Sequence, residues 1–387
     1  MSNQELQANW NYPTKIFVGR GRLRELPAAC NELGMNAPLL VTDPGLASSV
    51  LVENTLSLMH EAGVKTSIFC HIKANPTGAQ VMDGVTAYRN GAHDGVIAFG
   101  GGSAIDAAKA IALMVGQQRS LWDFEDVGDN WLRVNAEAMA PVIAIPTTAG
   151  TGSEVGRASV ITDTEHQIKK IIFHPKMLPS LVILDPELTV GLPKPITAAT
   201  GMDALSHCLE AYCAPGYHPM AEGIALEGIR LIKDNLLIAY QDGNNLFART
   251  NMLVASMMGA TAFQRGLGAM HALAHPLGAL YDAHHGRLNA ILMPYVLRAN
   301  TPVIKEIIER LAGYLSLDGG YAGFLEWIIQ MRLELGIEHT LSEIGIDTLQ
   351  IDRLATMAME DAASGSNPIL FTQQQYKDIL YSACNGL

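Results

Sequence analysis

The sequence predicts an α/β N-terminal domain followed by an all-α C-terminal domain, and three observations carry that prediction. From about Asn36 to Asp185, short β-branched runs alternate with helical patterns, as expected of a parallel sheet covered on both faces. After Pro195 strand texture largely disappears and helix-period patterns follow one another. Between the two, Gly191-Leu192-Pro193-Lys194-Pro195 interrupts regular structure with two prolines and a glycine. The expected domains are therefore 1–190 and 191–387.

The elements follow in order. Residues 38–43 read as a buried strand, 48–62 as a helix, 64–70 as a strand and 78–89 as a helix. Residues 95–99 form a third strand running into Gly100-Gly101-Gly102, and 103–115 carry apolar residues at helical spacing. Residues 141–146 and 181–185 read as further buried strands. In the second half, helices are expected over 198–212, 220–239, 246–262, 269–281, 288–298, 302–315 and 321–335.

Composition narrows the function classes. The 387 residues are 49% hydrophobic and 17% charged, enough to bury large cores, which excludes intrinsic disorder. A net charge of −12 opposes binding to nucleic acid or to anionic membranes. The first residues show no basic segment leading into an apolar run, and the five cysteines form no CxxC pair. A soluble, cytoplasmic globular protein is the expectation.

Gly100-Gly101-Gly102-Ser103-Ala104-Ile105-Asp106 joins a strand to a helix. Glycines there let backbone approach a pyrophosphate, and the helix N-terminus offers N–H groups and a positive dipole end. The turn is neither GxGxxG nor a Walker A loop, because Ile105 stands where a third glycine would and no Gly-Lys-Ser/Thr follows. Asp43 ends an upstream strand, where its carboxylate could accept both ribose hydroxyls of an adenosine, although Asp43-Pro44-Gly45 also reads as a plain turn. A second polar loop, Pro146-Thr147-Thr148-Ala149-Gly150-Thr151-Gly152-Ser153-Glu154, could bond phosphate or ribose or simply cap a turn.

Asp203 and His207 lie four apart on a predicted helix, so they share a face, and His271 and His275 repeat the spacing on a later one. His284-His285 follow just beyond. Imidazoles with one carboxylate suit Fe²⁺ or Zn²⁺. Spacing alone leaves open which of the four later histidines complete a site. The methionines at 252, 257, 258 and 270 read as core filling.

These segments together resemble the iron-containing (group III) alcohol dehydrogenases. The resemblance rests on Gly100 to Lys109, on Pro146 to Glu154, on Ala199-Thr200-Gly201-Met202-Asp203-Ala204-Leu205-Ser206-His207, and on Gly268 to Pro276 with His285-Gly286; it runs from roughly Phe17 to Ala383. It implies a dehydroquinate-synthase-like fold, with a dinucleotide domain, a helical metal domain and a cleft between them. It implies metal ligation by Asp203, His207, His271 and His285, with His275 beside the nicotinamide. Asp43 matches the acid that holds the adenosine ribose and favours NAD over NADP. Asn75, Thr147, Thr148, Thr151 and Lys169 fall on cofactor-contacting positions, and Gly101, Gly102, Ser103 and Asp106 are the candidates in the glycine turn. A homodimer through edge strands near Lys15-Ile16-Phe17-Val18 is also implied.

The expected activity is NAD-dependent, metal-assisted hydride transfer to or from a small neutral alcohol, diol or aldehyde, with Asp203, His271 and His275 catalytic and Fe²⁺ (or Zn²⁺) as the metal. Glycerol dehydrogenase-like or maleylacetate reductase-like chemistry on the same scaffold is the nearest alternative, and a non-catalytic metal- or nucleotide-binding protein is a further one. Phe263-Gln264-Arg265-Gly266 and Arg287-Leu288 depart from the family pattern and are expected to line or border the substrate entrance. Arg265 and Arg287 are the only basic groups expected near the metal helices, which argues against a large anionic substrate.

Overall fold

The structure, a computed structural model, describes Tyr12 and residues 14–386. The described chain forms two compact units, passing from one to the other between Gly191 and Leu192.

The first unit contains β1 (Lys15–Val18), α1 (Leu26–Glu32), β2 (Leu39–Val41), α2 (Pro44–Ala47), α3 (Val50–Glu61), β3 (Ser67–Phe69), α4 (Gly78–Asn90), β4 (Val96–Gly100), α5 (Gly102–Met114), β5 (Val142–Pro146), β6 (Ala158–Asp163), β7 (Ile168–Phe173) and β8 (Leu181–Leu184). Six strands form a parallel sheet in the order β1-β8-β5-β4-β2-β3. β2, β4, β5 and β8 are buried at every residue, which explains their unbroken apolar runs. Alternate residues of three strands (Ile97, Phe99, Ile143, Ile145, Leu181, Ile183) face one side, where they pack with Leu26 and Cys30 of α1 and Val52 and Met59 of α3.

This order reverses direction between β2 and β4. The chain leaves β2 outward to β3, returns to β4, and continues the other way to β5. Such a switch point opens a crevice at the strands' carboxyl ends, the usual ligand position in open α/β sheets. Asp43 follows β2 there, and Gly100-Gly101-Gly102 follows β4.

β6 and β7 form a separate antiparallel hairpin, which the sequence reading does not anticipate. The burial of β6 alternates residue by residue and β7 carries Lys169 and Lys170, so neither is an unbroken apolar run.

The second unit is helical: α6 (Lys194–Cys213), α7 (Pro219–Gln241), α8 (Leu246–Ala262), α9 (Ala269–Tyr281), α10 (His285–Tyr314), α11 (Gly320–Glu334), α12 (Ile351–Glu360) and α13 (Gln373–Asn385). The two helices expected over 288–298 and 302–315 are one, α10, running through Pro294 and Pro302. Pro302 has no N–H for the Arg298 carbonyl, and the Thr301 hydroxyl donates to that carbonyl instead at 2.8 Å. The sequence reading ends its helices at 335 and does not predict α12 and α13. α6 is buried nearly all round, including Asp203, His207 and Glu210, and buried groups of that kind require partners. No helix among the described residues is long and apolar enough to cross a membrane.

Candidate functional site

The partners of α6 come from α9 and α10. One ligand atom each from Asp203, His207 and His271 lie within 4.8 Å of one another, a spacing that could hold a metal ion. His285 Nε2 is 3.6 Å from Asp203 Oδ1. The imidazoles are contiguous: His207 stacks on His271 with centroids 4.7 Å apart, His271 lies 5.2 Å from His285, and His285 stacks on His275 at 5.5 Å. His284 is exposed at the N-cap of α10.

Asn289 shows where the lone pairs point. Its Nδ2 donates to Asp203 Oδ1 at 2.9 Å and lies 3.3 Å from His271 Nε2 and 3.2 Å from His285 Nε2. A carboxylate oxygen and two imidazole nitrogens converging on one amide N–H₂ mark a position that favours positive charge, and among the described residues the buried Asn289 Oδ1 has no partner. Three imidazoles with a carboxylate around such a point fit a divalent transition metal. Among the described residues no thiol joins this group, and Cys208 on the same helix faces the Ala255 carbonyl.

Glu210, which the sequence reading missed, organises this group. Its carboxylate accepts from His271 Nδ1 at 2.6 Å and from the Gly268 and Met270 backbone N–H groups at 2.7 Å each, so it also caps the positive end of α9. A carboxylate only accepts here, so the His271 proton sits on Nδ1 and Nε2 presents its lone pair. Burial works against the His271 imidazolium, but the carboxylates of Glu210, Asp203 and Asp361 together outweigh it and the pKa is raised. Asn367 completes the cap by accepting from Ala269 N–H at 3.0 Å. In Glu210→Gln one oxygen must serve three N–H donors, and metal affinity is expected to fall roughly 10–100-fold, checked by competition with a coloured chelator. Glu210 stands three residues after His207 and seven after Asp203, on their helix face, and that spacing was the available signal. Asn289, four after His285, carried the same kind of signal.

His275 Nδ1 donates to Asp361 Oδ2 at 2.8 Å. Asp361 lies in a segment to which no element was assigned from sequence. Arg265 donates to the Tyr212 and Gly216 carbonyls at the end of α6, at 3.0 Å each, and pairs with Glu222 at 2.9 Å. Arg287 lies two positions after His285, on another face of α10, and forms a two-pronged pair with Glu338. Gln264 Nε2 bonds the Thr261 carbonyl at 2.7 Å. Both guanidinium groups are thus engaged within the protein.

At the switch point of the first unit, Gly100 has φ +148°, and a Cβ built on it would lie 2.9 Å from the Ala104 side chain and 3.7 Å from Asp43 Oδ2. A Cβ on Gly102 would meet Thr151 at 2.5 Å, so glycine allows the two loops to close together. Thr147 N–H donates to the Gly100 carbonyl at 3.0 Å, and Thr148 lies 3.4 Å from a Cβ on Gly101. The N-cap of α5 is Gly101, which has no side chain to occupy the helix N-terminus, so the N–H groups there suit a phosphate. Asp43 Oδ1 accepts from Gly45 and Leu46 N–H at 2.9 and 3.0 Å. The Ser103 hydroxyl donates to the Ala74 carbonyl beside Asn75. Thr162 N–H donates to the Pro76 carbonyl at 2.7 Å, and Thr162 is the register partner of Lys169, which draws the hairpin toward Asn75.

Asp106 is engaged within the protein. It accepts from the Ser153 hydroxyl and, at 2.9 Å, from Val160 N–H, and it pairs with buried Lys109 at 3.2 Å. Beside this group, burial pushes the carboxyl of Glu154 up to about 7. A carboxyl raised this way contributes its stability below its ordinary value of 4.5 and loses it as pH rises through about 7. Glu154→Gln is therefore expected to lose less melting temperature than the wild type between about pH 5 and pH 8, as read by calorimetry.

Comparisons with known proteins identify the family. The family model for iron-containing alcohol dehydrogenase matches residues 13–186, and that for the C-terminal part of the Fe-containing alcohol dehydrogenase family matches residues 197–384. The chain is 38% identical to a 4-hydroxybutyrate dehydrogenase of Cupriavidus necator, covering 95% of this chain and 98% of that one. It is 34% identical to an NAD-dependent methanol dehydrogenase of Bacillus methanolicus, covering 97% and 99%. A crystal structure of 1,3-propanediol oxidoreductase superposes with a TM-score of 0.93 at 34% identity, covering 97% and 100%.

Proposed function

The chain belongs to the iron-containing alcohol dehydrogenase family, and on that premise we propose that it transfers a hydride between NAD(H) and a small neutral primary alcohol or diol and its aldehyde. The observation that carries the reading is the convergence of Asp203, His271 and His285 on the Asn289 amide. With His207, these residues would hold Fe²⁺, or Zn²⁺ as the alternative. Residues 1–190 would serve as the NAD-binding domain and 191–387 as the metal domain.

A bound divalent ion supplies Lewis acidity toward the substrate oxygen, and a bound nicotinamide supplies the hydride acceptor or donor. The chain's own residues do the rest. Glu210 keeps the proton on His271 Nδ1, so Nε2 remains the ligand atom. His275 Nε2 takes the hydroxyl proton during alcohol oxidation and returns it during aldehyde reduction. Asp43 accepts ribose hydroxyls, while Gly101, Gly102 and Ser103 at the start of α5, with Thr147, Thr148 and Thr151, hold the phosphates and ribose. Asn75 and Lys169 border the same strip, and Asp106 contributes by fixing Ser153 and β6 beside it.

A neutral substrate is supported by the pairing of Arg265 with Glu222 and of Arg287 with Glu338. The first relative's hydroxy-acid activity defines the competing reading. NADH consumption with propanal, 3-hydroxypropanal and a four-carbon aldehyde carrying a terminal carboxylate decides between them. The neutral aldehydes are expected to lead in kcat/KM by about tenfold or more, and a lead for the carboxylate would overturn the neutral-substrate reading. The enzyme is proposed to act as a cytoplasmic homodimer, supported by the edge position of β1 in the sheet.

A further inference from the structure

We propose that Asp361 is a positioning residue that fixes the tautomer of His275 and so makes Nε2 the proton-accepting atom. Three observations converge on it. Asp361 Oδ2 lies 2.8 Å from His275 Nδ1. Asp361 Oδ1 accepts from Ala363 N–H at 2.9 Å, capping the turn Ala362–Ser366. The His275 ring is held flat against His285, with centroids 5.5 Å apart and planes 11° from parallel.

The two carboxylate oxygens therefore face two N–H donors from different parts of the fold. Ala363 N–H fixes the rotation of the carboxylate, and the carboxylate holds the edge of the ring. The stacked His285 holds the face of the same ring, so in-plane and out-of-plane freedom are both restricted. A carboxylate has no proton to give, so His275 carries its proton on Nδ1 and a lone pair on Nε2. Among the described residues Nε2 has no hydrogen-bond partner, so it is open to a ligand.

Asparagine at 361 reverses this arrangement without changing its size. The amide has one oxygen, and Ala363 N–H requires it. The N–H₂ group then faces His275 Nδ1, which must become an acceptor, moving the ring proton to Nε2. A structural cap alone would not have this consequence, because the asparagine side chain caps the turn as well as aspartate does.

The direct test is the ring tautomer, measured by long-range proton–nitrogen NMR on protein labelled with ¹⁵N-histidine, the His275 signals being identified by their loss in His275→Gln. The wild type is expected to show the neutral ring protonated at Nδ1, and Asp361→Asn the ring protonated at Nε2. The same tautomer in both proteins would overturn the proposal. The kinetic arm alone rests on the hydride-transfer reading: Asp361→Asn is expected to lower kcat roughly 100-fold with the KM for coenzyme nearly unchanged. Combining it with His275→Gln is expected to add no further loss beyond His275→Gln alone. Additive losses would overturn action through His275. Absence of dehydrogenase activity in the wild type would count against the functional reading and leave the tautomer result standing.

Discussion

Asp203→Ala and His271→Ala are each expected to purify with almost no bound metal and to lose roughly a thousandfold or more in turnover. Asp203 sits on α6 at 2% exposure and His271 on α9 at 1%, so solvent screens neither and no water replaces them readily. The loss is chemical: a Lewis acid supplies several kcal/mol of charge stabilisation at the substrate oxygen, and each 1.4 kcal/mol is about tenfold in rate. Folding must be monitored separately, because His271→Ala leaves the Glu210 carboxylate with only the two backbone donors of α9. Calorimetry on metal-free wild type and variants separates the two effects. A variant that unfolds near the melting temperature of metal-free wild type, yet fails to retain metal, has lost a ligand rather than a fold.

Asp43→Gly is expected to raise the ratio of kcat/KM for NADP over that for NAD by roughly 100-fold. A 2′-phosphate carries up to about two negative charges, and a carboxylate within several ångströms opposes it by about 2–4 kcal/mol at the effective dielectric of a protein surface. Glycine is the appropriate replacement. Asp43 also caps α2 through Gly45 and Leu46 N–H, and a glycine N-cap costs only a few tenths of a kcal/mol where alanine costs about 1. The shift in ratio should therefore appear without a marked fall in stability. An unchanged ratio would remove Asp43 from the ribose site.

The parts of the fold legible in the sequence are those whose burial leaves a local pattern. β4 and β5 read directly from Val96 to Phe99 and Val142 to Ile145, because strands covered on both faces tolerate no polar residue. β6 and β7 leave no such mark, since both faces of the hairpin carry polar groups, Ser159, Asp163 and Lys170 on one and Thr162 and Lys169 on the other. α10 reads as two helices, 288–298 and 302–315, and the sequence does not show the Thr301 hydroxyl that bonds the Arg298 carbonyl in place of the donor Pro302 lacks. The candidate site follows the same division. Asp203 with His207, and His271 with His275, stand out because four residues bring them onto one helix face. Glu210 shares the face of Asp203 and His207, but the histidine it meets is 61 residues away, and Asp361 has no such local mark because its histidine is 86 residues distant. Arg265 belongs to a segment expected to line or border the substrate entrance, and the sequence does not show that its guanidinium meets the Tyr212 and Gly216 carbonyls at and just beyond the end of α6.

The most direct test is reconstitution of the metal-free chain. Stepwise addition of Fe²⁺, and separately of Zn²⁺, should restore NADH consumption by a short neutral aldehyde in proportion to the metal bound, saturating at about one ion per chain. Full activity in the metal-free chain, unchanged on adding either ion, would contradict metal-assisted hydride transfer at the group formed by Asp203, His207, His271 and His285.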